Sequence, residues 1–268
     1  MSQEMEADNG IRVEGLIKEF PGQRVLDGLN LTVGNGEFVC LLGPSGCGKS
    51  TLLNILSGLD SDYRGSVHFG GRPMVPGGKP PATIGYLFQE PRLLPWLSAE
   101  RNVDFALENS RVPRSRWGDI KDRYFALTGL QPFRDYYPHE LSGGMAQRLS
   151  LVRALAIEPD VLFMDEPFSG LDELTARRLR VDLLDIWRET GKTILFITHN
   201  SYEATFLGDR VVVLSQGGIH NQISVDVPRP RDYDDAALFQ VGKTVSATFI
   251  EAAEAAERAR ARGTRSSH

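Results

Sequence analysis

Short apolar runs at 37–42, 83–88, 161–164, 193–198 and 210–214 punctuate the chain, rich in Val, Ile, Leu and Phe and bounded by Gly, Pro or Asp. Runs of this kind, several leading into helix-like segments, predict an α/β fold with a largely parallel, buried sheet. The beginning differs, because 11–20 and 29–33 predict extra, more antiparallel strands. Between about 97 and 157 the strand signal fades. There 101–109, 117–128 and 144–157 carry helical patterning, which predicts a mainly helical insert. The Pro- and Gly-rich stretch 70–81 reads as a loop between strands. The Ala-, Glu- and Arg-rich segment 247–262 places Glu254 and Arg258 four residues apart, which predicts a solvated terminal helix that frays. The expected organisation is a flexible 1–10, a folded domain over 11–245, and a partly disordered helical tail over 246–268.

Composition narrows the class. Hydrophobic residues make up 41% and charged residues 24% of the 268, as in ordinary globular proteins, so neither disorder nor a fibre is expected. The formal net charge of −5 counts against a nucleic-acid partner, because phosphate contacts call for a basic surface. The two cysteines, Cys40 and Cys47, form no zinc spacing and no disulfide framework, which fits a reducing compartment. Residues 1–10 are polar and acidic, unlike a secretory signal. No apolar run approaches the roughly 20 residues that span a bilayer. Work at a membrane would therefore need a partner.

The strongest chemical signal is Gly43-Pro44-Ser45-Gly46-Cys47-Gly48-Lys49-Ser50-Thr51, which fits G-x-x-x-x-G-K-[ST] between a predicted strand and a helix at 52–59. Glycines let backbone amides turn toward phosphates, and a helix N-terminus favours negative charge. Lys49 adds a cation for the β- and γ-phosphates, and the Ser50 hydroxyl is a ligand for Mg²⁺. A nucleoside triphosphate and Mg²⁺ are thus expected. Cys47 is a small filler of the loop, with a redox switch the alternative. The apolar run 161–164 then delivers two carboxylates, Asp165 for the Mg²⁺ shell and Glu166 to polarise an attacking water.

Further pieces point to one family. Leu141-Ser142-Gly143-Gly144-Met145-Ala146-Gln147 opens a predicted helix and offers a second anion site. Gln89 ends the run 86–89, Ser169-Gly170-Leu171-Asp172 follows Glu166 closely, His199 closes the run 194–198, and Phe20 lies upstream. Singly, each has a structural alternative: Phe20 in the core, His199 a buried satisfied histidine, Gln89 a strand cap, Ser-Gly-Gly a turn. Together and in this order they resemble the ATP-binding cassette (ABC) ATPases over roughly residues 11–245. The resemblance implies a P-loop NTPase of the ABC ATPase fold: a mainly parallel core sheet, an antiparallel β subdomain and an inserted α-helical subdomain. It also implies that Phe20 stacks on adenine and that residues 43–51 hold phosphates in cis. Ser142, Gly143 and Gly144 would complete the site from a second subunit, with Asp172 beside the nucleotide. Glu166 would be the general base, His199 would orient the γ-phosphate and water, and Lys49 and Gln89 would join them in catalysis. Ser50, Gln89 and Asp165 would serve Mg²⁺.

Around Gln89 the segment Phe88-Gln89-Glu90-Pro91-Arg92-Leu93-Leu94-Pro95-Trp96, followed by Glu100-Arg101-Asn102-Val103, looks like the nitrate/sulfonate/taurine branch of importer ATPases. The resemblance implies an ATPase that is a homodimer when ATP is bound. It would sit at the cytoplasmic face of the inner or plasma membrane through integral permease subunits, and serve a solute-binding protein indirectly. Leu93, Leu94 and Trp96 would line a groove for the permease, with packing inside the insert the alternative. Asn200 stands where the family usually has Asp, and Gly208 where Ala is frequent. The chain ends soon after the core, leaving no room for the regulatory domain of sugar-importer ATPases. The alternatives are an ABC ATPase for lipid or other export or extraction, and a soluble nucleic-acid-associated one.

Overall fold

A computed structural model describes residues 10–265, with side chains through residue 258. The flexible start expected over 1–10 and the disordered end of the tail thus fall largely on 1–9 and 266–268, outside the described residues. Gly10 itself is buried, and its carbonyl accepts a hydrogen bond from Gly70 N at 2.9 Å. The chain forms two compact units. One comprises residues up to Pro81 and from Thr193 onward, and the other spans Ala82–Lys192.

The first unit begins with β1 (Ile11–Phe20) and β2 (Gln23–Val33), then β3 (Phe38–Leu42), α1 (Lys49–Leu56), β4 (Arg64–Phe69) and β5 (Arg72–Pro73). β1 and β2 form an antiparallel hairpin, and a four-stranded sheet runs β2-β1-β4-β5. Two expectations are revised. β2 starts at Gln23 rather than near 29, because the Pro21-Gly22 turn, with Gly22 at φ 79°, brings residues 23–28 back along β1, with Leu26 buried. The expected loop 70–81 contains β5, whose Arg72 and Pro73 pair with Phe69 and His68.

The second unit holds β6 (Ile84–Leu87), α2 (Ala99–Glu108), α3 (Trp117–Leu127), α4 (Gly143–Ala156), β7 (Val161–Asp165) and α5 (Glu173–Thr190). β6 and β7 pair in parallel. The three helices α2, α3 and α4 occupy the stretch in which strand patterning fades.

The chain then returns to the first unit with β8 (Thr193–Thr198), α6 (Ser201–Leu207), β9 (Arg210–Ser215), β10 (Gly218–Ser224) and α7 (Ala236–Arg265). β3 pairs in parallel with both β8 and β9, while β10 runs antiparallel to β9. All five residues of β3 and all six of β8 are buried, as expected of central parallel strands covered on both faces.

The tail departs most from expectation. α7 opens at Ala236, so a boundary at 245/246 falls inside a helix. Leu238, Val245, Ala252 and Ala256 are buried along one stripe. Ser215 Oγ and Gln216 Nε2 donate to the carbonyls of Ala252 and Ala255 at 2.9 and 2.7 Å. Small alanines let the helix lie close against its neighbours. The expected Glu254–Arg258 pair forms on the exposed side at 3.3 Å.

Candidate functional site

In the first unit, the loop from Gly43 to Gly48 leaves the end of β3 and enters α1. A Cβ at Gly43 would lie 2.6 Å from Leu214 O and 2.7 Å from Cys47 Sγ. Gly46 and Gly48 sit at φ 78° and 104°, in the left-handed region open to glycine. Ser45, Gly46 and Ser50 are exposed, Pro44 and Thr51 half-buried, and Cys47 buried. Lys49 folds back over the loop, its Nζ donating to the carbonyls of Gly43 at 2.7 Å and Pro44 at 3.2 Å. The first-turn amides of α1 lack helical acceptors, as at every helix N-terminus. Backbone that tolerates no side chain, a lysine ammonium and the hydroxyls of Ser50 and Thr51 together fit a polyphosphate.

Leu42 of β3 lies opposite Thr198 of β8. Gly43 and His199 therefore leave adjacent parallel strands at the same carboxyl edge, where open α/β sheets bind ligands. His199 is exposed rather than buried. Asn200 caps α6, its Oδ1 accepting from Tyr202 N at 3.0 Å and Glu203 N at 3.1 Å. Asn does here what Asp does at an N-cap, which accounts for the departure at this position. At Gly208 a Cβ would meet Ala204 O and Arg210 O at 3.0 Å and Cys40 Sγ at 3.1 Å, so no room exists for the more frequent Ala without a shift. Phe20, at the end of β1, is 45% exposed and so is not a core residue.

The second unit repeats the edge arrangement. Leu87 of β6 lies opposite Met164 of β7, so Gln89 and the Asp165-Glu166 pair follow parallel strands past one carboxyl edge. Gln89 is exposed, and Asp165 and Glu166 are half-buried. Glu166 has φ 46°, a left-handed conformation uncommon for a side-chain-bearing residue. Its carbonyl accepts from Ser169 Oγ at 2.9 Å and Ser169 N at 3.1 Å, which holds the turn. The Tyr86 hydroxyl is pushed far up by burial and by the Asp165 charge, and so remains a neutral phenol.

Ser142 caps α4, its Oγ accepting from Met145 N at 3.3 Å, with Gly143 and Gly144 in the first turn. A Cβ on Gly144 would lie 2.7 Å from Thr175 Cγ2, and one on Gly143 3.5 Å from Leu171 Cδ2. The glycines thus allow α4 to approach the 171–175 segment closely. Asp172 caps α5 by accepting from Thr175 N at 3.0 Å, which holds its carboxyl below the usual range. Its carboxylate is engaged in a helix cap.

A groove of about 410 Å³ opens on the same unit, with Leu94, Trp96, Leu97 and Phe105 as its apolar lining and Arg101 and Glu108 among its charges. Trp96 is 70% exposed, so it is not packed in a core, whereas Leu94 is half-buried. Leu93 is half-buried and does not line the groove. Two residues without an assigned role hold this region. Asn102, fully buried, accepts from Leu94 N and donates to the carbonyls of Leu94, Leu97 and Ser98. Arg153 donates to the carbonyls of Pro91 and Arg92.

A family profile described as ABC transporter matches residues 26–169. The chain belongs to the ABC transporter family. Within it, the chain is 42% identical over 241 residues to an uncharacterized ABC transporter ATP-binding protein of Methanocaldococcus jannaschii, covering 88% of this chain and 89% of that one. It is 44% identical over 211 residues to an aliphatic sulfonates import ATP-binding protein of Bacillus licheniformis, covering 77% and 80%. Among solved structures, a dimeric, post-hydrolysis ATP-binding cassette bound to ADP and Pi superposes with a TM-score of 0.70. That structure is 28% identical, with 81% of this chain and 100% of that one covered. The ABC chain is an ATP-binding subunit and an ATPase. Among its described residues, no helix is long and apolar enough to cross a membrane, and no cluster of three or more His, Cys, Asp and Glu could hold a metal. Mg²⁺ characteristically binds through one or two protein oxygens together with substrate phosphates, and Ser50 and Asp165 are oxygen donors of that kind.

Proposed function

We propose that this chain is the motor subunit of an ABC importer for a small organic or inorganic anion of the sulfonate, nitrate or taurine kind. It works as an ATP-bound homodimer on the cytoplasmic face of a membrane, attached through permease subunits and served by a solute-binding protein. The observation that carries the importer reading is the groove with Trp96 exposed at its edge, which offers an apolar anchor site to a helix of the permease. The 44% identity to a sulfonate-import ATPase supports it.

In this reading residues 43–51 take the triphosphate, and Phe20 stacks on the base. Ser50, Gln89 and Asp165 would hold Mg²⁺, which would supply charge neutralisation for the triphosphate. Glu166 accepts a proton from the attacking water, and His199 orients that water and the γ-phosphate. Lys49 stabilises charge on the β- and γ-phosphates. Ser142, Gly143 and Gly144 bind the nucleotide of the opposite subunit, with Asp172 beside that nucleotide.

Glu166→Gln is expected to lower turnover about 10²- to 10⁴-fold, the usual contribution of a positioned base, while the ATP-bound dimer persists in size-exclusion chromatography. Normal phosphate release by this variant would remove Glu166 from the role. Affinity purification from solubilised host membranes is expected to recover a polytopic permease. Recovery of an export machine, ribosomes or nucleic acid would leave the ATPase and overturn the importer.

A further inference from the structure

Lys18 and Phe20 are two residues apart on β1, whose pairing with β2 is irregular between Lys18 and Glu19. Lys18 is an anomaly there, a lysine with 4% side-chain exposure among the apolar residues of a sheet. Its Nζ donates to Asp60 Oδ1 at 2.8 Å and to the Asp62 carbonyl at 2.6 Å, with Asp62 Oδ2 at 3.4 Å. Burial works against the charge, but the hydrogen bonds and charges of Asp60 and Asp62 more than offset it and raise the pKa. The group is therefore an ammonium at any physiological pH. The same Nζ lies over the Phe20 ring, 4.8 Å from its centroid. The lysine is buried while Asp60 is partly and Asp62 almost fully exposed, and such a pair contributes little to a sheet where an apolar side chain would fill the site at less cost. The cation does something an apolar residue would not: it holds one face of an otherwise exposed ring.

We propose that Lys18 is a positioning residue for nucleobase recognition, its ammonium anchored by Asp60 and Asp62 so that the free face of Phe20 is presented to the purine. The cation on one face draws electron density from the ring and favours stacking of an electron-rich base on the other. Lys18 touches no nucleotide in this role and acts through Phe20. The proposal rests on the reading that Phe20 stacks on the base.

The test is calorimetric titration of the full chain with ADP and with pyrophosphate, which carries phosphates and no base. Phe20→Ala and Lys18→Met are each expected to weaken ADP binding, Lys18→Met by about fivefold (about 1 kcal/mol), and to leave pyrophosphate binding unchanged. The double variant should bind ADP no more weakly than Phe20→Ala alone, and Lys18→Arg should restore most of the affinity. Where Lys18→Met does not fold, Asp60→Asn, which loosens the anchor, carries the same comparison. Loss in Phe20→Ala with none in Lys18→Met, or losses that multiply in the double variant, would overturn the proposal and leave stacking intact. Equal weakening of ADP and pyrophosphate by Lys18→Met would make the lysine purely structural. No effect of Phe20→Ala would remove the stacking reading, and the positioning role with it.

Discussion

Gly48 has φ 104°, and a Cβ there would stand 2.6 Å from Leu26 Cδ2 and 3.1 Å from Val25 O. Gly48→Ala must strain the backbone or push β2 away, so it is expected to weaken ATP binding at least tenfold and lower the melting temperature by several degrees. Nucleotide titration and a thermal melt check the two effects. The need for glycine here was legible from the motif, because the left-handed backbone is set by a few consecutive dihedrals, whereas the close approach of Val25 and Leu26 was not. Asn200 was legible as a departure but not as an explanation, since its capping role shows only once α6 begins at Ser201. Lys18 was not legible at all. Its partners Asp60 and Asp62 lie more than forty residues away, and no local pattern announces them.

At the scale of elements, the segment after Gln89 has no regular secondary structure until α2, yet it is held by side chains from the helices. Asn102 makes four hydrogen bonds to 94–98, and Arg153 makes two to 91–92. Removing the Asn102 amide takes a part-buried partner from Leu94 N and Leu97 O, while the carbonyls of Leu94 and Ser98 keep Leu97 N and Asn102 N. Asn102→Ala is expected to lower the unfolding free energy by about 2–3 kcal/mol in urea titration, against less than about 1 kcal/mol for Phe105→Ala, whose ring is half-exposed on the same helix. Equal losses would mean that the loop is held by apolar packing instead. An Asn inside a helical run otherwise patterned for burial was the available signal, but Asn is common enough near helix starts that composition could not separate the two uses. The packing of α7 was hidden for a related reason. Ala-rich, charge-rich sequence suits both a solvated helix and one lying close on a neighbour, and only the buried stripe Leu238–Val245–Ala252 distinguishes them.

At the scale of the molecule, the phosphate-loop unit is discontinuous in sequence, since residues from Thr193 onward complete the sheet begun by β3. Its integrity depends on the far end of the chain. Arg231 is buried and donates to the carbonyls of Thr205, Phe206 and Gly208 at the end of α6, and to those of Val225 and Val227. Burial pushes its pKa down to about 10, which leaves it charged at neutral pH. Arg231→Met is expected to destabilise the fold by about 3 kcal/mol or more in denaturant titration, because the carbonyls lose a charged donor. A change below about 1 kcal/mol would show that those carbonyls are satisfied otherwise. By itself the sequence determined the strand–loop–helix of the phosphate site, the paired carboxylates, the helical insert and the family, because each is written in neighbouring residues or in a fixed order of short motifs. Only the tertiary structure decided which side chains hold those pieces: Lys18 against Phe20, Asn102 on the 94–98 loop, Arg231 under α6, and α7 on its unit. Burial and hydrogen bonding between distant segments set these, and a one-dimensional pattern does not carry them.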